Sequence, residues 1–335
     1  MIGRLGIGRI YLAYRTIIDS LIVMAVFPLS LSAHLMSVTI DNDIFLGKDN
    51  GYTNGIFISW FDLGNMHEMK EVPSRLLTLL IWSLPRTEAW ASINTHTIGQ
   101  IMATPDNITL KNPDPEDMPY AGLLFYTTSH LKIYKDSADQ IALTLGVIGP
   151  LSGAEYVQKR VHEITGSTRP EGWDYQLKNE AVFQLSRSRI WRVWATGKGR
   201  GKFDFLLSGE FRLGTISSEI STSSIFRFGT DLSMSFAAPV LDSSRACNPL
   251  SLDGGWYFYT GIEARYITNM IFTDGNTFRG SRSTELDHTQ FGVMAGLSYS
   301  LKSLAVTIAV EDFSMFENQN DGPMRFGTIT IAFRF

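Results

Sequence analysis

Phe203-Asp204-Phe205-Leu206-Leu207-Ser208-Gly209-Glu210-Phe211-Arg212-Leu213 is the stretch on which the fold turns. A strand repeats every two residues, so Phe203, Phe205, Leu207, Phe211 and Leu213 share one face, while Asp204, Ser208, Glu210 and Arg212 share the other. That division suits a wall with lipid on one side and a polar lumen on the other. One such segment is a weak signal, and its weight comes from repetition. Phe226, Phe228, Leu232, Met234 and Phe236 oppose Arg227, Asp231, Ser233 and Ser235. Ile141, Leu143, Leu145 and Val147 alternate with Ala142, Thr144 and Gly146, and Leu304, Val306, Ile308 and Val310 alternate with Thr307 and Glu311.

The 335 residues are 44% hydrophobic and carry a net charge of −4, which offers no attraction for nucleic acid. Residues 1–33 run from Arg4, Arg9 and Arg15 through the apolar Ile17 to Leu31 into the small Ser30, Ser32 and Ala33. This is the order of a secretory signal peptide, with cleavage expected near Ser32 or Ala33; a transmembrane anchor is the alternative. No later stretch offers about 18 uninterrupted apolar residues, so a spanning helix is not expected after residue 33. The single Cys247 has no partner for an internal disulfide. An exported chain without spanning helices or disulfides is expected to fold as a closed β-barrel, the other structure that satisfies every backbone group in lipid. Thr328 to Phe335 alternates up to a terminal aromatic, as in outer-membrane barrel proteins, which makes a Gram-negative outer membrane the expected compartment.

The pattern predicts an all-β fold, a twelve-stranded antiparallel transmembrane β-barrel spanning residues 34–335. Its strands are expected near 36–46, 52–63, 94–104, 119–134, 139–148, 173–192, 202–215, 223–238, 255–269, 286–300, 304–315 and 324–335. An even count puts both termini on the periplasmic side, and makes 105–118, 149–172 and 270–285 long extracellular connections. Within 149–172, the segment from Gly153 to Gly166 reads as a short helix ending on a glycine C-cap, with Gln158 and His162 on one face. The long periplasmic connection 64–93 contains Arg75 to Trp82, expected as an amphipathic helix at the inner rim.

Chemistry is expected where Ile40-Asp41-Asn42-Asp43-Ile44-Phe45 meets Tyr52-Thr53-Asn54-Gly55 across a short turn. Carboxylate and amide oxygens there suit Ca²⁺ or Mg²⁺ better than zinc; a polar hairpin tip is the plainer alternative. If Met36, Val38 and Ile40 face lipid, Asn42 is outward and Asp41 and Asp43 point inward unless a bulge intervenes. Of six histidines only His162 lies in a long outer loop, where it is either a general base or a residue complementing the helix dipole. His162-Glu163-Ile164-Thr165-Gly166 lacks the second histidine of a zinc-protease helix, and no Gly-x-Ser-x-Gly occurs.

Asn42-Asp43, Tyr52-Thr53-Asn54-Gly55, Pro119-Tyr120-Ala121-Gly122, Gln158 to His162, Gly172 to Glu180, Asp274 to Ser281 and Phe326-Gly327-Thr328 together resemble the outer-membrane lipid A 3'-O-deacylase family, in order and across the chain. The resemblance implies a Ca²⁺-dependent ester hydrolase that removes the 3'-linked acyloxyacyl chain of lipid A in the outer leaflet, from a surface-exposed site between barrel wall and loop helix. It puts His162, Asn42, Asp43 and Thr53 in the catalytic set, with Asp43 and Asn42 as metal ligands. Its partners would be the lipid A of lipopolysaccharide and the outer membrane, with the chain a monomer and no nucleic acid involved. The sequence departs from the family pattern at Asp117-Met118, where a basic residue commonly precedes Pro-Tyr-Ala-Gly. The rival functions are a passive outer-membrane pore or binding barrel, and an outer-membrane phospholipase.

Overall fold

A computed structural model describes residues 35–42, 51–62, 72–196, 202–230, 232, 254–314 and 323–334. The expected leader, Asp43 and Phe335 lie outside these residues. Twelve antiparallel strands close on themselves: β1 Leu35–Asn42, β2 Gly51–Asp62, β3 Ala91–Thr104, β4 Ala121–Ile133, β5 Ser137–Ile148, β6 Glu180–Ala195, β7 Lys202–Gly214, β8 Ser217–Gly229, β9 Gly255–Met270, β10 Thr289–Leu301, β11 Leu304–Ser314 and β12 Pro323–Arg334. Each strand pairs with its sequence neighbours, and β1 pairs with β12 from Leu35↔Arg334 to Asn42↔Gly327. Closure leaves no open edge, as a lipid environment requires.

The alternation is realised as expected. Along β7, Asp204, Ser208, Glu210 and Arg212 are buried inside while Phe211 and Leu213 are exposed outside. The lumen, however, is not uniformly polar. Its periplasmic end is packed by Leu35, Phe61, Ile93, Ile133, Ile190, Leu206 and Ile225 from strands all around the wall. Small barrels fill their interiors with side chains, and those positions are apolar because only a dry packing offsets the cost of ordering them. Charged lumen groups are matched: Asp204 with Arg192 at 3.0 Å and Arg227 at 2.6 Å, and Arg212 with Glu210 and Glu219, each at 2.9 Å.

Two strand boundaries and the placement of one connection differ from the expectation. Strand β6 begins at Glu180 rather than near 173, because Trp173 turns into a 3-10 helix, Trp173–Tyr175, and packs its ring in the loop layer. Strand β8 spans Ser217–Gly229 rather than 223–238: Ser217, Glu219, Ser221 and Ser223 are buried in the lumen, which extends the alternation upward, and the run from Met234 onward lies outside the described residues. The 3-10 turn Arg75–Leu77 and helix α1, Thr78–Ile81, sit not on the rim but on the outer wall, where Leu77, Leu80 and Leu84 pack on the outward Ile141 and Leu143. Leu76, Leu79 and Trp82 face away from the barrel. Asn94, Lys132 and Arg187 donate hydrogen bonds from the wall to the carbonyls of Val72, Pro85 and Ser83, so strand side chains hold down a connection surrounded by lipid.

Candidate active site

Helix α2, Ala154–Thr165, rests on the outer face of β3 and β4 at the extracellular end. Met102, Ile108, Tyr120 and Trp173 form a buried cluster with Ala154 of the helix, and Val157 packs on it. The approach is close because position 122 is glycine: a Cβ there would lie 2.3 Å from both the Ala154 Cβ and the Ser152 Oγ. Gln100 adds a tether, its amide donating to the Ser152 carbonyl at 2.7 Å.

The expected helix and its C-cap are realised. Gly166 takes φ 73°, which glycine adopts without strain, and its N–H bonds to the His162 carbonyl. Ala154, Gln158 and His162 form the buried face, so burial rather than solvation describes His162. The imidazole Nδ1 bonds to the Thr168 carbonyl. A carbonyl only accepts, which makes Nδ1 the donor and leaves the Nε2 lone pair as the basic position. One turn back, the Trp173 indole N–H donates to Gln158 Oε1 at 2.7 Å, fixing the amide so that its buried Nε2 has no partner. Gln158 thus presents a donor beside the imidazole, which the shared face in the sequence hinted at without giving it a role.

Strand β1 alternates fully buried Leu35, Ser37, Thr39 and Asp41 with partly exposed Met36, Val38, Ile40 and Asn42, so Asn42 is outward and Asp41 inward, where Thr328 donates to it at 2.9 Å. Asn42 is opposite Asn54, Asn54 opposite Met102, and Met102 opposite Gly122, one outward row leading from the β1 rim to the seat of α2. The register of β2 on β3 shifts between Tyr52 and Asn54, a bulge at the barrel rim that leaves Thr53 the extra residue. Asn54 Oδ1 is buried without a hydrogen-bond partner. A desolvated amide oxygen beside Asn42, with Asp43 next in the chain, fits a hard cation that binds oxygen. Among the described residues no three His, Cys, Asp or Glu side chains converge as metal ligands, so the cation would rely on amide oxygens together with Asp43.

Two other motifs form a brace around this layer. Lys178 and Asn276 exchange backbone-to-amide bonds of 2.9 and 2.8 Å, and Glu180 accepts the N–H groups of Thr277 and Phe278. The Lys178 ammonium donates to the Gly280 carbonyl at 2.6 Å, a structural task. Met118 is buried, and Asp117 before it accepts the backbone N–H groups of Asp106 and Met118. Burial, and then the charge of Asp106, raise the Asp117 carboxyl above the ordinary range.

A closed transmembrane barrel carrying a helix on its lipid-side wall, with a buried imidazole in that helix, defines the class: an outer-membrane barrel enzyme. The model of the outer membrane protein LpxR family matches residues 17–335, and the chain belongs to that family, the lipid A 3'-O-deacylases whose motifs it carries. The solved structure of LpxR from Salmonella typhimurium is similar over 90% of this chain and 100% of that one, at a TM-score of 0.74 and 15% identity. The β domain of the Bordetella autotransporter BrkA covers 91% and 100% of the two chains at TM-score 0.43 and 9% identity. The translocator domain of NalP from Neisseria meningitidis covers 97% of each at 0.39 and 8%. No curated protein sequence matches.

Proposed function

We propose that this outer-membrane lipid A deacylase cleaves the 3'-linked acyloxyacyl ester of lipid A with a water molecule activated by His162, in a reaction that requires Ca²⁺. The observation that carries the reading is the contact of His162 Nδ1 with the Thr168 carbonyl: an oxygen that can only accept takes the Nδ1–H, so Nε2 can take a proton from water. The helix presents it on the outer wall, where an outer-leaflet lipid can reach it without entering the packed lumen. Asp43 and Asn42 are the proposed ligands, with Asn54 adding an oxygen. Bound there, Ca²⁺ would polarise the ester carbonyl and offset the charge that develops on its oxygen. Gln158 donates an Nε2 proton toward the same oxygen, and Thr53, at the bulge, orients the water or the ester. All these residues come from one chain, consistent with a monomer.

The test is mass spectrometry of lipid A after incubation with the purified barrel. Wild type should release the 3' acyloxyacyl chain, and a chelator should stop it. His162→Ala should lower kcat by about 10²–10⁴-fold while the barrel stays folded. Equal product from wild type and His162→Ala would overturn the assignment, and loss of acyl chains from glycerophospholipids instead would favour the phospholipase reading.

A further inference from the structure

Beginning on β5 and β6, beside the β3–β4 wall that carries α2, and running away from it toward β10, the outer wall carries a cationic group at the foot of an apolar furrow. Asp139 is fully buried between Arg187 and Arg189 on the outward face of β5 and β6. Arg187 is consumed by this carboxylate and by carbonyls of the wall and of the α1 connection. Arg189 is not: its Nε is 3.8 Å from Asp139, beyond hydrogen-bond length, and has no other partner, while the side chain is 39% exposed and its guanidinium stacks 5.5 Å from the Trp191 ring. Trp191 faces Ser137, next to the turn joining β4 and β5 at the periplasmic end, so Arg189, opposite Asp139, lies two residues in from the periplasmic end of β5, on the side of the periplasmic leaflet.

From Arg189 a row of small outward residues crosses the wall: Gly209, Thr222 and Ala264, ending at Phe291. Phe211, Ile220 and Tyr266 stand one step above it, and the furrow has a volume of about 730 Å³, continued past Thr222 and Ala264 by a second of about 570 Å³. The row also climbs. Arg189 is six residues from the periplasmic strand end at Ala195, Gly209 seven from Lys202, Ala264 nine from Gly255, and Phe291 ten from Leu301. A lipid does the same, with its phosphate at the interface and its chain rising toward the bilayer centre.

We propose that Arg189 and the Gly209–Thr222–Ala264 furrow form a binding site for one anionic glycerophospholipid of the periplasmic leaflet, phosphate on the guanidinium and acyl chain in the furrow. The charge matches, since Lys132, opposite Asp139 on β4, adds a further cation to Arg187 and Arg189 around that carboxylate, and an indole flanks the guanidinium. The outer-leaflet substrate would meet α2 on β3 and β4 instead, so this site serves anchoring.

Native mass spectrometry of the delipidated, full barrel tests it, with dioleoyl phosphatidylglycerol and dioleoyl phosphatidylcholine supplied in equal amounts. Wild type should retain phosphatidylglycerol preferentially, and Arg189→Gln should cut that preference about fivefold, the effect of one cation near an anionic surface. Arg189→Lys should keep most of it. Gly209→Leu should lower retention of both lipids by filling the furrow; a first added atom there meets the Trp191 ring only at 3.9 Å, an ordinary contact. Lipid A deacylation should be unchanged in all three, which separates failure here from failure of the catalytic assignment. No preference in wild type, a preference that survives Arg189→Gln, or lipid A displacing phosphatidylglycerol at equal concentration would each overturn the proposal.

Discussion

Asn54 shows how a single residue can state a chemical need. Its amide oxygen is buried without a partner on the outward row shared with Asn42, and an unsatisfied buried acceptor of this kind costs about 1–3 kcal/mol until something binds it. If that something is Ca²⁺, Asn54→Ala should raise the Ca²⁺ concentration for half-maximal deacylation about tenfold. It should also shrink the upward shift in melting temperature that Ca²⁺ gives the wild type, a binding readout independent of turnover. An unchanged Ca²⁺ titration would remove Asn54 from the ligand set. The sequence flagged Asn54 with its neighbours because acidic and amide residues cluster there, yet it gave Asn54 no place among the ligands. The bulge at Thr53 and the burial of one oxygen exist only once β2 is registered on β3. His162 was legible as a loop histidine, but its protonated nitrogen depends on Thr168, six residues on and beyond the C-cap, where no periodicity leads.

Helix α2 was readable from its terminal glycine, and the resemblance put it against the barrel wall, whereas the contacts that seat it there were not readable. Gly122 belongs to a strand distant in sequence, and its significance is the 2.3 Å that separates a hypothetical Cβ from Ala154 and Ser152. Gly122→Ala should therefore lift the helix from the wall. Overpacking of this kind costs about 1–3 kcal/mol locally. We expect kcat/KM for lipid A to fall about tenfold or more with barrel melting nearly unchanged, because the strand ladder at β3–β4–β5 is not interrupted. Activity equal to wild type would show that the helix position is immaterial to catalysis. The α1 connection teaches the same lesson from the other end of the wall. Its amphipathic face was evident in sequence, but which surface it covers was decided by the outward Ile141 and Leu143 and by three hydrogen bonds from separate strands.

Across the whole molecule, the lumen separates this barrel from a pore. An apolar plug fills the periplasmic end, and Asp204 holds two arginines, both largely or wholly buried. Removing the shared carboxylate takes the close counter-charge from two buried cations, so Asp204→Ala should destabilise the barrel by about 3–5 kcal/mol, visible as a lowered unfolding temperature by heat-modifiability on gels. Wild type in planar bilayers should pass no steady current, and open-channel conductance would revive the pore reading. The twelve strands, their closure and the lipid-facing parity were determined by the sequence alone, since a period of two is local and each residue's polarity reports the solvent on its own side of the wall. What filled the lumen, where α1 and α2 lie, and which oxygens and nitrogens stand unpaired at the outer rim were decided only by tertiary structure. Those features arise between residues far apart in the chain, brought together when strand register, barrel closure and side-chain volume are satisfied at once.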